Sequence, residues 1–281
     1  MIGLAVAACS DNAQSDVTSP VSTDAAANNA AAVDTVDDTS APSPSAAPDT
    51  AAAGPTVDPT IATDAAETSA ASTGSLEPLT AAAFDGLGTC TLMPEKTAGP
   101  FPLDQQFDRR DVTEGYPGQP MRLGLRVLDA ACAPVPQARV EIWHCDASGD
   151  YSAFTDDGGG GKDEAEDTTF LRGTQTADDN GIVEFQTIVP GWYTGRAVHI
   201  HLRVHMGDDI VLTSQLFFDA AYLAQVYTGE AYAEFGLPDT SNEADRIAGN
   251  VQTEGTIAHT AAGETSLGTG TVALLNLGIN A

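Results

Sequence analysis

The chain reads as all-β: a two-sheet β-sandwich with a long disordered N-terminal tail and short C-terminal helices. Three observations predict it. Short apolar alternations recur between residues 121 and 279, separated by Gly, Pro, Asn and Asp turns, the pattern of strands that each bury one face. Helical periodicity is confined to the region after residue 219. Residues 10–88 are mostly Ala, Thr, Ser, Asp and Pro, a composition that cannot bury enough surface to offset the entropy of ordering.

Residues 1–9 end in Val6-Ala7-Ala8-Cys9. An apolar run before a cysteine resembles a truncated lipobox, where a signal peptide is removed and the cysteine lipidated. The expectation is an extracytoplasmic protein, periplasmic or at the cell surface, that meets the membrane only through Cys9. Residues 10–88 contain no Lys or Arg and twelve of the 40 acids, so they are read as an acidic tether. Residues 89–281 make one domain, long enough for a proper core. That domain is acidic as well, since 28 acids face all 11 basic residues, and nucleic acid is not an expected partner.

Within the domain, the first ordered stretch is expected over residues 90–101, with a turn at Thr97-Ala98-Gly99-Pro100. Strands follow at 121–128 and 138–144, joined by a Cys- and Pro-containing hairpin. Residues 156–167 hold four consecutive glycines and read as a loop. Strands 170–176 and 182–188 form a second expected hairpin around Asp178-Asp179-Asn180-Gly181. Residues 198–204 and 210–218 are further strands, 220–233 and 241–247 short helices, and 271–279 a final edge strand. Cys132 and Cys145 flank a strand whose ends lie roughly 20 Å apart, beyond disulfide reach. Cys90 is therefore expected to pair with one of them.

The chemistry concentrates in PGWYTGRAVHIHLRV, residues 190–204. Alternation puts His199 and His201 on one strand face and Val198, Ile200, Leu202 and Val204 on the other. Glycines around Tyr193 permit a sharp reversal that can carry its phenol back over the imidazoles. Phenolate with imidazole suits trivalent iron better than zinc, which usually takes Cys, His and carboxylate. Upstream, VEIWHCDASGDY (residues 140–151) reads as a strand and a turn ending at Tyr151.

Together, WHCDASGDY and PGWYTGRAVHIH resemble the signature of the intradiol ring-cleavage dioxygenases, the catechol and protocatechuate dioxygenase family, and most of all its short extracellular branch. The resemblance implies Fe(III) held by Tyr151, Tyr193, His199 and His201, and a small aromatic diol and O2 as reactants. It further implies that Tyr193 accepts a substrate proton, Arg196 stabilises developing negative charge, Gln215 lies near the diol, and Gly99 and Pro100 line the substrate pocket. The expected outcome is cleavage between the two hydroxylated carbons to a cis,cis-muconate-type diacid, in the catabolism of aromatic compounds. The helical domain through which the catechol enzymes dimerise is absent, so no oligomeric state is carried over.

Other residues are read as structural. His205 is expected to be solvated and His144 hydrogen-bonded in a second shell or the core. Arg172 is noted as a local cation able to favour carboxylated substrates. A second reading stays open: a non-enzymatic, surface-tethered binding module with a degenerate or zinc-filled site.

Overall fold

The computed structural model describes residues 76–88, 91–154, 167–252 and 254–281. Cys9, the tail through residue 75, Cys90 and all but the last residue of the expected glycine loop lie outside the described residues. The elements are β1 (Pro120–Leu128), β2 (Arg139–Trp143), β3 (Arg172–Thr176), β4 (Ile182–Ile188), β5 (His199–Met206), β6 (Asp209–Phe217), α1 (Ala220–Val226), β7 (His259–Thr265) and β8 (Gly268–Gly278). Two four-stranded sheets result, ordered β4-β1-β8-β7 and β3-β2-β5-β6. No helix among the described residues is long and apolar enough to cross a membrane.

The sandwich follows from alternation. Leu123, Leu125 and Val127 of β1 and Val183 and Phe185 of β4 share one buried cluster with Val140 and Ile142 of β2 and Ile200, Leu202 and Val204 of β5. Each sheet thus turns its apolar positions toward the other and leaves its intervening positions on an outer face.

Both expected hairpins are corrected. β1 and β2 lie in different sheets, as do β3 and β4, although the turn at 178–181 has the local chemistry foreseen. Asp178 accepts the N–H groups of Asn180 and Ile182 at 2.8 Å, and Gly181 sits at φ +76°. Turn residues dictate that the chain reverses; which sheet the next strand joins is settled by where its apolar face finds cover. The consecutive strands that do pair are β2 with β3, β5 with β6 and β7 with β8. The last strand is not an edge either, because β8 runs parallel to β1 on one side and antiparallel to β7 on the other. Residues 241–247 form turns instead of a helix. α1 ends at Val226 and is capped by the Asp219 carboxylate, which accepts from Ala221 and Tyr222.

The folded domain also begins earlier than residue 89. Phe84 lies in a short 3-10 turn and is 2% exposed, packed with Leu79 over Gly124 on the outer face of the first sheet. A Cβ at Gly124 would run into Leu79 and would lie 3.2 Å from Phe84, so the strand-interior glycine admits this cover. Glu184, opposite Gly124, fastens the segment. Its carboxylate accepts the Leu79 N–H at 2.5 Å and Arg122 Nε at 2.8 Å and also contacts Arg110, while Arg122 Nη2 donates to Glu77 O at 2.6 Å. Composition hid this, because two apolar residues on a polar stretch suffice when a glycine leaves them a seat. Cys132 is disulfide-bonded and Cys145 is free and buried.

A chain starting at residue 90 should therefore unfold at a lower denaturant midpoint than one starting at residue 76. Phe84→Ala in the longer chain should lose about 3–5 kcal/mol. Equal midpoints would show that residues 76–88 contribute nothing.

Candidate metal centre

Strand register assembles the floor of the site. Trp143 of β2 lies opposite both Arg172 of β3 and His201 of β5, and His201 lies opposite Gln215 of β6. Directly paired residues project to the same side, so these four form a row across the outer face of the second sheet, with His199 two residues along. The face is not solvated: His199 is 2% exposed and His201 and Gln215 are fully buried. Three loops cover it, carrying Phe101, Tyr151 and Tyr193.

Two turns deliver the phenols. In the first, Asp146 Oδ1 accepts the N–H groups of Ser148 at 2.8 Å and Asp150 at 3.1 Å, which folds the chain so that Tyr151 points back over the sheet. The second turn, residues 190–195, packs directly on it. A Cβ at Gly149 would lie 2.5 Å from Trp192 O, and one at Gly191 would lie 2.5 Å from both Asp146 O and Ala147 O. The two backbones touch only because glycine stands at both positions. Tyr151 and Tyr193 are consequently neighbours, with ring centroids 5.9 Å apart, and Tyr151 stacks on Phe101 at 4.3 Å.

The four expected donors meet at one place. The hydroxyls of Tyr151 and Tyr193 each lie 3.4 Å from His199 Nε2, and His201 Nε2 lies 3.0 Å from the same atom. His199 Nδ1 is 2.6 Å from Ala197 O, which makes Nδ1 the protonated nitrogen and turns the lone pair of Nε2 toward the other three atoms. Donors gathered this closely can share one cation. Burial pushes both tyrosine pKa values up, holds His199 down at about 3 and holds His201 well below the usual imidazole range. For Tyr193 the Arg196 charge works against burial without overcoming it. Left alone the cluster is neutral, and a trivalent cation suits it, since two phenols can each release a proton and two imidazoles are already unprotonated.

Arg196 is held in three directions. Nε donates to Asp245 at 2.9 Å and Nη2 to Gln215 Oε1 at 2.5 Å, leaving Nη1 at 3.3 Å from both Tyr193 Oη and His199 Nε2. Gln215 is fixed in turn by donating to Thr97 O at 2.8 Å. A Cβ on Gly99, at φ +72°, would approach His201 Cε1 to 3.1 Å, so that loop closes directly on the imidazole. Pro100 beside it is half-buried.

Several residues outside this set differ from expectation. His205 is buried at 5% exposure and faces Glu141 at 3.4 Å, so it is not solvated; alternation puts it on the same face as Arg203, which lies directly opposite Glu141 of β2. Arg172 is buried and engaged by the protein itself. Its guanidinium donates to Ser152 Oγ, Ser152 O and Phe101 O at 2.7–2.8 Å, tying two of the covering loops to β3. His144, by contrast, is hydrogen-bonded in the core as expected, fully buried with Nδ1 2.8 Å from Cys145 O and Nε2 2.7 Å from Thr187 Oγ1. Asp245 escaped the sequence because it lies 49 residues beyond Arg196 in a stretch read as helix. Trp143 and Phe101 escaped because an apolar ring carries no sign of the donor it will touch.

Fold and cluster define a β-sandwich protein with a mixed phenol and imidazole donor site on an outer sheet face. The family model Dioxygenase_C, described as dioxygenase, matches residues 96–228. An intradiol ring-cleavage dioxygenase from Tetranychus urticae superposes with a TM-score of 0.62 at 31% identity, over 68% of this chain and 95% of that one. The chain belongs to the intradiol ring-cleavage dioxygenase family. Among curated relatives, a catechol 1,2-dioxygenase of Pseudomonas sp. (strain EST1001) is 35% identical over 92 residues, covering 33% of this chain and 28% of the relative. A chlorocatechol 1,2-dioxygenase of Rhodococcus opacus is 27% identical over 142 residues, covering 43% and 52%. The chain thus spans at most about half the length of these two relatives.

Asp245 yields a pH prediction. Burial pushes its carboxyl up, but the N–H groups of Ile247 and Ala197 and the Arg196 guanidinium outweigh that and hold it below the usual range. A depressed carboxyl contributes stability above its unfolded pKa, which is lost as pH falls through the folded value. Asp245→Asn should therefore destabilise the protein by roughly 3–5 kcal/mol at neutral pH and flatten the acid limb of its denaturation profile. An acid limb identical to the parent's would refute the assignment.

Proposed function

We propose that this protein is a non-haem ferric dioxygenase that cleaves a catechol-type aromatic diol between its two hydroxylated carbons. Both atoms of O2 enter the product, a cis,cis-muconate-type diacid. The observation that carries the proposal is the convergence of two phenol oxygens and two imidazole nitrogens within 3.0–3.4 Å of contact around His199 Nε2. Tyr151, Tyr193, His199 and His201 would hold the iron. When bound, ferric ion supplies Lewis acidity toward the diol oxygens and draws ring electron density toward reaction with O2.

The remaining steps belong to the chain. Tyr193 is the more exposed phenol of the two, and as a phenolate it accepts one diol proton at Oη. Arg196 Nη1, 3.3 Å from that oxygen, then faces the negative charge that develops on the substrate. Because Asp245 and Gln215 hold the other two nitrogens of the fork, this donor needs no reorganisation as charge builds, the condition under which such groups act most strongly. Phe101, Gly99 and Pro100 wall the donors and keep water away, which strengthens every charge interaction inside.

We further infer that the enzyme works outside the cytoplasm on a lipid anchor at Cys9. Support comes from the apolar run before Cys9 and from the disulfide at Cys132, since disulfides persist in oxidising compartments.

Iron-loaded protein should be reddish-brown and should consume O2 on addition of catechol, hydroxyquinol or protocatechuate, with the ring-opened diacid appearing in equal amount. Tyr151→Phe or Tyr193→Phe should bleach the colour, and Arg196→Met should lower kcat about 100- to 1,000-fold while the colour remains. A colourless iron-loaded sample that leaves all three diols untouched would sink the proposal and favour the binding module.

A further inference from the structure

We propose that Trp143 is the positioning residue of His201, a stacking surface that orients this imidazole as a hydrogen bond orients its neighbour; the inference rests on the ferric reading of the four-donor site. A metal-ligating imidazole is ordinarily steered through its second nitrogen, which donates to a carbonyl or carboxylate. His199 follows that rule through Ala197 O at 2.6 Å. His201 does not: Nδ1 is buried and has no hydrogen-bond partner among the described residues. Something else must define the plane of its ring.

Trp143 supplies that plane. Its ring lies 5.0 Å from the His201 ring, centroid to centroid, with only 4° between them, inside the range of favourable aromatic pairs. The two residues are directly opposed across β2 and β5, so strand pairing presets the contact. Trp143 is itself fixed, being 1% exposed with the Arg203 guanidinium 5.1 Å from its centroid. Glu141 holds Arg203 at 3.7 Å. On the Cε1 edge, the backbone at Gly99 passes so close that a Cβ there would lie 3.1 Å from Cε1. A parallel face and a closed edge restrict ring rotation, and Nε2 is left directed at the other donors, 3.0 Å from His199 Nε2.

The test compares the parent with Trp143→Leu, Trp143→Phe and Arg203→Gln by two measurements. In metal-free protein, histidine-labelled NMR should show the His201 ring protons shifted upfield by the indole. Trp143→Leu should lose that shift and show more than one ring orientation, with His199 unmoved, and Trp143→Phe should keep a single orientation. In competition against a chelator, Fe(III) affinity should fall about 10- to 100-fold for Trp143→Leu, recover most of that loss for Trp143→Phe, and fall less for Arg203→Gln. Arg203→Gln leaves the core intact, so it carries the test should the leucine variant fail to fold. Unchanged His201 resonances, or undiminished iron affinity, in both Trp143→Leu and Arg203→Gln would overturn the proposal. Parent protein that takes up no Fe(III) would overturn the ferric reading instead, and the metal-free spectra would still decide whether Trp143 orients His201.

Discussion

The site depends on one close approach of backbone to backbone. The turn after β2 and the turn before β5 lie in contact at Gly149 and Gly191, where any side chain would collide with a facing carbonyl. Both turns carry a tyrosine a short distance from that contact, so their approach is also the approach of the two phenols. Each turn has its own internal reason for its shape. Asp146 organises the first through its side chain, and the second is joined to it by the Gly191 N–H donating to Asp146 O at 2.8 Å. The same aspartate thereby shapes one turn and holds the other.

Beneath the turns, the sheet behaves in a way that alternation alone does not suggest. A strand of a two-sheet sandwich ordinarily offers one face to the core and the other to water. β5 buries both, with Ile200, Leu202 and Val204 between the sheets and His199 and His201 under a second, smaller cluster of Phe101, Trp143, Cys145 and Tyr151. Polar groups in such a layer need partners, and Arg172 shows one solution. Its buried guanidinium, with its pKa lowered by burial to about 10, is satisfied by carbonyls and a hydroxyl and bonds to no carboxylate among the described residues. The donor cluster shows another arrangement, since the hydroxyls of Tyr151 and Tyr193 and the Nε2 of His201 all lie within 3.4 Å of His199 Nε2.

Arg196 joins these layers. Asp245 belongs to the turns after α1, Gln215 to β6, and Thr97 to the segment leading to Gly99, yet one guanidinium and one amide link all three. Fixing the fork on two sides is what gives the third nitrogen a defined direction. The Arg203, Trp143 and His201 stack does the equivalent for an imidazole through ring faces. Hydrogen bonds and flat apolar contacts are interchangeable here because either suffices to remove a rotation.

The sequence by itself determined the strands, since alternation with period two survives in any sandwich, and it set two tyrosines and two histidines beside glycine-rich turns as candidate donors. It also located the bend at 178–181, because an aspartate and a glycine specify a reversal locally. Tertiary structure alone decided which sheet each strand joins, that β8 is central, that residues 76–88 cover a sheet, and that His205 is buried against Glu141. It alone decided that Trp143 faces His201 and that Asp245 holds Arg196. These pairings are set by registers and seats between segments far apart in the chain, 49 residues for Arg196 with Asp245, 62 for Arg122 with Glu184 and 105 for Leu79 with Glu184, and local propensity carries no record of a neighbour met at that distance.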